Sequence, residues 1–339
     1  MSKRFYRALG KSETWPEITG VNPCGITYDD VLLVPQRDTK IASRRLPDLS
    51  VSLGPYNLTK PIIASPMDTI TGEKMVRLMH EMGAIAVLPR GDLTRNGKLC
   101  RKFTRAKIRC IYAIGLKNAL EEAKAYKKWG AKVILIDVAH GGMSQVVKAA
   151  KEIGERLKLT VMAGNIASFS QAQEYKKAGL KIARVGVGCG GLCITRLVAG
   201  AGVPQLSAIF DTSASGLQIV ADGGIRRPAD FAKAIAAGAD LVMPGKVIGG
   251  RKEVRGQASE AYMKDNDVEL GEFRAAEGIS TMVKVKGSAR HVINDLAAGL
   301  RSAMSYTGAK TIREFQQKAE FVLVTKSAQI ENQPHILSL

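Results

Sequence analysis

Eight short apolar runs alternate with stretches of helical period along this chain, and no other feature limits its fold as much. The runs are PIIASPM at 61–67, IAVLP at 85–89, IRCIYAIG at 108–115, KVILIDVA at 132–139, LTVMAG at 159–164, IARVGV at 182–187, LQIVAD at 217–222 and LVMPG at 241–245. Near-continuous apolar character is what a parallel strand covered on both faces requires. Amphipathic segments at 72–82, 118–129, 143–157, 168–178 and 228–237 lie between them, and a further helix is expected at 291–305. Such alternation predicts an α/β fold, a (β/α)8 TIM barrel, with a doubly wound open sheet as the alternative. At 339 residues the chain is long enough for one such barrel or for two ordinary domains.

Barrels of this kind place chemistry at the C-terminal ends of their strands. Polar residues fall there: Asp68 follows the first run, Asp137 ends the fourth, Asn165 follows the fifth and Asp222 ends the seventh. Gly223, Gly224 and Gly245 follow the last two runs, at the corner where this fold usually holds phosphate. Taken singly, each also reads as an Asx turn or a strand-ending glycine. Beyond the sixth run lies RVGVGCGGLCITR at 184–196. Its glycines at 186, 188, 190 and 191 leave the backbone free to fold around a ligand, with amides and carbonyls turned toward a phosphate or a cation. Cys193 follows that turn, and Thr195 adds a hydroxyl two residues on. Read alone, the loop is equally compatible with a buried, inert thiol.

Charge and cysteine usage bound the setting. Lys and Arg number 50 against 31 Asp and Glu, a net +19, with clusters at 98–109, 124–132 and 226–227. Solvated helical faces are the first reading of such clusters and an electrostatic funnel for phosphorylated ligands the second. Nucleic-acid binding comes third and is not expected, because aromatic residues make up only 5% and no stacking module accompanies the charge. Five cysteines without regular spacing (Cys24, Cys100, Cys110, Cys189, Cys193) read as reduced thiols, and the dispersed histidines His80, His140, His291 and His335 offer no zinc site. The N-terminus lacks the apolar core of a signal peptide, and no run approaches the ~18 apolar residues of a membrane span, so a cytoplasmic protein is expected.

The thiol loop and four other segments together resemble one family. Gly-x-Gly-x-Gly-(Ser)-x-Cys-x-Thr is the catalytic-cysteine loop of the IMP dehydrogenase and GMP reductase family, and residues 186–195 are similar to it at nearly every position. TYDDVLLVPQ at 27–36, PMDTITG at 66–72, MAGNI at 162–166 and VADGGI at 220–225 continue the likeness in order. The resemblance implies a single catalytic barrel over 1–339, with an N-terminal arm at 1–58, a mobile flap at 246–286 and a C-terminal segment at 310–339. Family dehydrogenases commonly insert a CBS pair after the second strand; only residues 90–107 intervene here, enough for a loop and a short helix. The piece at 318–337, KAEFVLVTKSAQIENQPHIL, resembles the dehydrogenase tail more than the reductase tail.

Both family reactions, as the resemblance implies them, join the cysteine to C2 of a purine nucleoside monophosphate and move a hydride between that carbon and a nicotinamide. The dehydrogenase then hydrolyses its adduct with an Arg-Tyr pair on the flap, whereas the reductase expels ammonia with a Thr and a Glu. The flap segment at 256–278 contains no adjacent Arg-Tyr pair, and its end, EFRAAEG at 272–278, resembles the reductase pattern EYRASEG. Cys193, Thr195 and Glu277 are therefore the catalytic candidates, for NADPH-dependent deamination of GMP to IMP. Oxidation of IMP to XMP with NAD is the alternative, and a nucleotide- or nucleic-acid-binding barrel without turnover is the second.

Carried over position by position, the substrate contacts are Met67, Gly190, Gly191, Asp222, Gly223, Gly224, Gly245, Lys246, Arg255, Gly256 and Gln257. Gly191 replaces a phosphate-contacting serine of the family, and Lys246 and Arg255 are expected to compensate with ion-assisted contacts. Cofactor contacts fall on Arg90, Asp137, Asn165, Arg184, Ser259 and Arg274, with Arg90 toward a 2′-phosphate and hence NADPH preferred over NADH. A monovalent cation, K+, on the carbonyls of Gly188, Gly190 and Cys193 and a homotetramer complete what the likeness implies.

Overall fold

The computed structural model describes residues 4–6, 12–14, 25–245, 252–266, 270–271, 275–283 and 287–332. Eight strands form one parallel sheet: β1 (Ile63–Ala64), β2 (Ile85–Leu88), β3 (Ile111–Ile114), β4 (Val133–Asp137), β5 (Thr160–Ile166), β6 (Ile182–Val185), β7 (Gln218–Asp222) and β8 (Leu241–Met243). They pair in sequence order. A parallel bridge between Ile62 and Val242, with the Val242 N–H donating to the Pro61 carbonyl at 3.0 Å, closes the two ends. A doubly wound sheet would reverse its order at a switch point; closure in sequence order makes this a barrel.

Strand residues alternate between two cores, which is why the runs are apolar throughout. Ile85, Val87, Val133, Leu135, Met162 and Val220 point into the barrel, while Ala86, Leu88, Ile134, Ile136, Val161 and Ala221 meet the surrounding helices. Those helices are α1 (Glu73–Glu81), α2 (Leu93–Arg105), α3 (Ala119–Lys128), α4 (Ser144–Leu157), α5 (Phe169–Lys177), α6 (Gln205–Ser213), α7 (Pro228–Ala237) and α8 (Ala289–Tyr306). Local chemistry sets several ends. Asp92 accepts from the Thr94 and Arg95 N–H groups at 2.8 and 3.3 Å, so the segment expected to hold a short helix carries the thirteen residues of α2. Pro228 opens α7, and Gly238 ends it at φ +119°.

The N-terminal segment departs from the arm expected of it. Val51–Leu53 and Tyr56–Leu58 form an antiparallel hairpin that inserts Leu53 and Leu58 into the barrel's inner core. The hairpin sits at the N-terminal end of the strands, where Gln218 donates to the Ser52 carbonyl (2.6 Å) and Arg109 to the Asn57 carbonyl (3.1 Å). Further along, Val31–Leu33 pairs antiparallel with Glu320–Leu323 in a four-stranded sheet that also holds 4–6 and 12–14. The bottom of the barrel is therefore plugged by Leu53 and Leu58.

Leu58 is 1% exposed, so Leu58→Ala should lower unfolding free energy by ~2–5 kcal/mol in a chemical denaturation series. A change below ~1 kcal/mol would show that the hairpin lies outside the cooperative core.

Candidate active site

A cavity of about 630 Å³ opens at the C-terminal ends of the strands, within the size range of small-molecule sites. The glycine loop after β6 forms one wall. Gly186, at φ +147°, passes so close to the Asp222 carbonyl that any Cβ would stand 2.1 Å from it. Gly223, at φ +95°, answers from the β7 turn, where a Cβ would meet the Cys189 sulfur at 2.9 Å and the Gly190 nitrogen at 3.1 Å. The two loops interlock backbone to backbone, and only glycine permits it at both positions.

Cys193 stands on this wall with its N–H donating to the Gly190 carbonyl at 3.0 Å. Its thiol donates to the Thr195 Oγ1 at 3.1 Å, and Thr195 begins a short helix, Thr195–Val198. The flap reaches the loop as main chain. Lys252–Arg255 and Ser280–Val283 form its antiparallel hairpin. At its returning end the Ile194 N–H donates to the Glu277 carbonyl (2.8 Å) and the Ile279 N–H to the Leu192 carbonyl (2.9 Å). This clip brings Glu277 to the cavity that Cys193 and Thr195 line.

Against the same loop a buried polar network joins four strand ends. The Arg184 guanidinium, from β6, pairs with Asp137 of β4 and, at 2.9 Å, with Asp222 of β7. Asn165 of β5 donates to Asp222 Oδ2 at 2.8 Å and to the Gly186 carbonyl at 2.6 Å. Burial opposes the charge on Arg184, but Asp222 and Asp137 more than offset it and hold the guanidinium above its ordinary range. Asp137 Oδ2 and Arg184 Nε remain buried without a hydrogen-bond partner among the described residues.

The expected substrate contacts Met67, Gly190, Gly191, Asp222, Gly223, Gly224, Gly245, Gly256 and Gln257 all line this one cavity, as do Arg90, Asp137, Asn165 and Arg184. Two expected contacts do not. Arg255 turns away to Asp68 (2.6 Å) and Asp265 (2.5 Å) and lies over the Tyr262 ring at 5.7 Å, so two carboxylates already neutralise the cation assigned to phosphate. Ser259 is 1% exposed and accepts from the Tyr262 N–H at 3.3 Å, capping the flap helix Glu260–Asp265 instead of facing a cofactor. Lys246 and Arg274 lie outside the described residues, as do Cys24 and His335. The K+ expectation gains no support: the Gly190 carbonyl is engaged by the Cys193 amide, and the Arg196 side chain packs against Gly188.

Sequence reasoning missed three supports. Gln205, 3% exposed, donates to the Val185 and Asp222 carbonyls at 2.8 and 3.1 Å and accepts from the Cys189 thiol at 3.0 Å. Burial pushes that thiol's pKa up, which suits a structural role. Asp29 is gripped by Arg226 (2.5 Å) and Arg227, and Lys233 donates to the Tyr28 carbonyl at 2.9 Å. The TYDD motif thus braces the β7 turn from outside. A polar residue in an otherwise apolar helix, such as Gln205 in PQLSAIF, was the available signal.

A closed (β/α)8 barrel with a thiol loop beyond its sixth strand and a flap clipped over it defines a class of barrel built around one cysteine. This chain belongs to the IMP dehydrogenase / GMP reductase family, whose domain model matches residues 25–335. It is 36% identical to an inosine-5′-monophosphate dehydrogenase of Nitrosopumilus maritimus over 66% of this chain and 53% of that one. Identity is 30% to the inosine-5′-monophosphate dehydrogenase of Cryptosporidium parvum, over 92% of this chain and 95% of that one. It is likewise 30% to mouse GMP reductase 2, over 90% and 96%. The chain therefore spans about half the length of some curated relatives and nearly all of others. Among the described residues no helix is long and apolar enough to cross a membrane.

Arg184→Leu would leave two carboxylates facing each other in a buried site and should destabilise the fold by ~3–5 kcal/mol, read as a drop in denaturant midpoint. An unchanged midpoint would mean that water or a cation already screens Asp137 and Asp222.

Proposed function

We propose that this chain is a GMP reductase, an oxidoreductase that converts GMP to IMP and ammonia at the expense of NADPH. The observation that carries the reading is the meeting of Glu277, Thr195 and Cys193 at one cavity through the main-chain clip of the flap.

Cys193 adds through sulfur to C2 of the purine, and the 2-amino group leaves from that carbon as ammonia once protonated, giving a thioimidate on the enzyme. The thiol needs help to ionise, since an unperturbed cysteine at ~8.5 is mostly protonated at neutral pH. Thr195, 3.1 Å from the sulfur, and the Glu277 carboxyl are the groups at hand to move protons to the departing nitrogen. NADPH, when bound, supplies the hydride that replaces sulfur at C2 and frees the thiol. The walls fit that cofactor: Asp137 Oδ2 is a buried acceptor still open to a sugar hydroxyl, and Arg90 has a buried Nε without a partner among the described residues. Arg90 is also the residue proposed for the 2′-phosphate. Gly190, Gly191, Gly223, Gly224 and Gly245 present backbone toward the nucleotide phosphate.

IMP dehydrogenase is the second reading, favoured by the names of the Nitrosopumilus and Cryptosporidium relatives and by the C-terminal sequence. A homotetramer in the cytoplasm goes with either. Leu197 (85% exposed) on the helix after Cys193 and Met282 (64%) on the flap hairpin leave apolar surface beside the mouth that supports self-association.

Absorbance at 340 nm separates the readings: NADPH consumption dependent on GMP is expected, and NADH production from IMP would overturn the reductase. Cys193→Ala should abolish turnover while nucleotide affinity stays within about tenfold, because the thiol acts chiefly through the bond it forms. Glu277→Gln should slow GMP reduction by ~10²-fold or more while a transient NADPH signal from IMP and NADP+ survives, since that partial reaction needs no ammonia to protonate. A wild-type rate in this variant would remove the Thr-Glu assignment.

Gly191 has no atom within 4 Å of a built Cβ, so the serine it replaces would fit without strain. Gly191→Ser should therefore lower KM for GMP by about tenfold, the worth of one hydrogen bond to a charged group, and leave KM for NADPH unchanged. A higher KM would place the phosphate elsewhere.

A further inference from the structure

Arg255 ends the outgoing strand of the flap hairpin, opposite Ser280, and its side chain is only 15% exposed. The guanidinium reaches in two directions. Nε and Nη2 donate to Asp68 Oδ2 at 3.1 and 2.6 Å, while Nη1 donates to Asp265 Oδ2 at 2.5 Å and to the Ala261 carbonyl at 3.3 Å. Ala261 and Asp265 belong to the flap's own helix, but Asp68 belongs to the barrel, in the loop that follows β1. The Arg255 N–H adds a bond to Thr69 Oγ1 at 3.3 Å, and Gln257 donates to the Pro66 carbonyl at 2.6 Å. Contacts at Pro66, Asp68 and Thr69 thus fasten the start of the flap on either side of Met67, which lines the cavity.

From that anchorage the main chain leads directly to Glu277. Residues 256–258 run beside 277–279: the Gly256 N–H donates to the Ile279 carbonyl at 3.2 Å and the Glu277 N–H to the Ala258 carbonyl at 3.0 Å. On its other side the same returning segment carries the clip to Leu192 and Ile194. Glu277 therefore lies between two runs of backbone, one belonging to the thiol loop and one fixed by Arg255. Among the described residues, the hydrogen bonds that join flap to barrel fall into these two groups, at 66–69 and at 192–194. A segment held at the thiol loop alone can still swing about it; the second attachment removes that freedom.

An ion pair at the surface is worth little, which is the bland account of an arginine on a flap. The two arms of Arg255 differ in this respect. Asp265 is 59% exposed and stays within the flap, whereas Asp68 is 28% exposed and takes two of the guanidinium N–H groups, a geometry that makes charge-assisted bonds strong. Hydrogen bonds to Asp68 and to Asp265 hold the guanidinium above its ordinary range, and the buried Tyr262 ring lies 5.7 Å from it. We propose that Arg255 is a positioning residue of the reaction: through Asp68 it fixes the start of the flap on the barrel and so holds Glu277 in register with Cys193. The benefit to catalysis rests on the reductase reading of Glu277; the anchorage of the flap does not.

Hydrogen–deuterium exchange reads the anchorage without turnover, and steady-state kinetics with GMP and NADPH reads its effect on the reaction. Arg255→Gln and Asp68→Asn should each raise exchange of the Ile194, Glu277 and Ile279 amides by about tenfold or more, the worth of one hydrogen bond to a charged group, and leave β4 and β5 protected. Both should lower kcat by about tenfold or more while KM for GMP stays within about threefold, because the pair acts on the proton-moving group and not on the nucleotide. Asp265→Asn, which breaks only the arm inside the flap, should match the parent in both measurements. Arg255→Gln combined with Asp68→Asn should fall no further than the worse single variant, since each removes the same interaction. Arg255→Lys, which keeps the charge, should recover part of both readouts. A raised KM with kcat retained would return Arg255 to the phosphate and overturn the proposal. So would unchanged exchange at the clip, additive losses in the double variant, exchange raised across the whole barrel, or an effect of Asp265→Asn as large as that of Arg255→Gln. A parent protein that does not consume NADPH with GMP would remove the reductase reading, and the exchange measurements would still decide whether Arg255 anchors the flap.

Discussion

Arg184 is the charge on which the upper end of the barrel depends. Asp137, Asn165 and Asp222 come from separate strands, and in an apolar barrel their burial is tolerable only because one guanidinium reaches both carboxylates. The pairing fixes the ends of β4, β6 and β7 relative to one another, and Asn165 adds β5 through Asp222 and the Gly186 carbonyl. One guanidinium against two carboxylates leaves the network net negative.

The thiol loop is held differently. Cys193 and Glu277 are positioned by main-chain hydrogen bonds between loop and flap, and the Cys193 thiol meets Thr195 of its own loop. Placement by backbone leaves each side chain free to change partner, which a buried ion pair does not. It also couples the thiol's surroundings to the flap, since the bonds that bring Glu277 in are the bonds that pin Leu192 and Ile194 on either side of Cys193.

The fold was largely legible because barrel strands are buried on both faces and leave unbroken apolar runs. The thiol loop was legible because its glycines are forced by close backbone approach, as at Gly186 against the Asp222 carbonyl. The plugging hairpin was not, since strands of three residues show no period and Leu53 and Leu58 become core only once a barrel exists to receive them. Arg255 and Ser259 mark another boundary. Position in a motif reports which loop a residue occupies, but Asp68 and Asp265 claim the Arg255 guanidinium, and helix capping claims the Ser259 hydroxyl. Gln205 was invisible for a related reason: its value lies in joining the Val185 and Asp222 carbonyls, which are adjacent only in the closed sheet.

The same geometry explains why the positive charge need not lie where the substrate does. Helices return antiparallel to the strands, so their N-termini face the active-site end with unpaired amides and the positive ends of their dipoles. A phosphate held by such amides and by glycine loops requires few cationic side chains, and the cavity wall here offers only backbone at Gly190, Gly191, Gly223, Gly224 and Gly245. Arg226, two residues after Gly224, is paired with Asp29 at 2.5 Å. Cations placed at the other end gain from the helix C-termini there, but that gain is shared by all helices and does not concentrate them on one side. Exposed cations accordingly stand there both at the entries of β3 through β6 and beside the C-terminal end of α8, at Arg37, Lys40, Lys310 and Arg313.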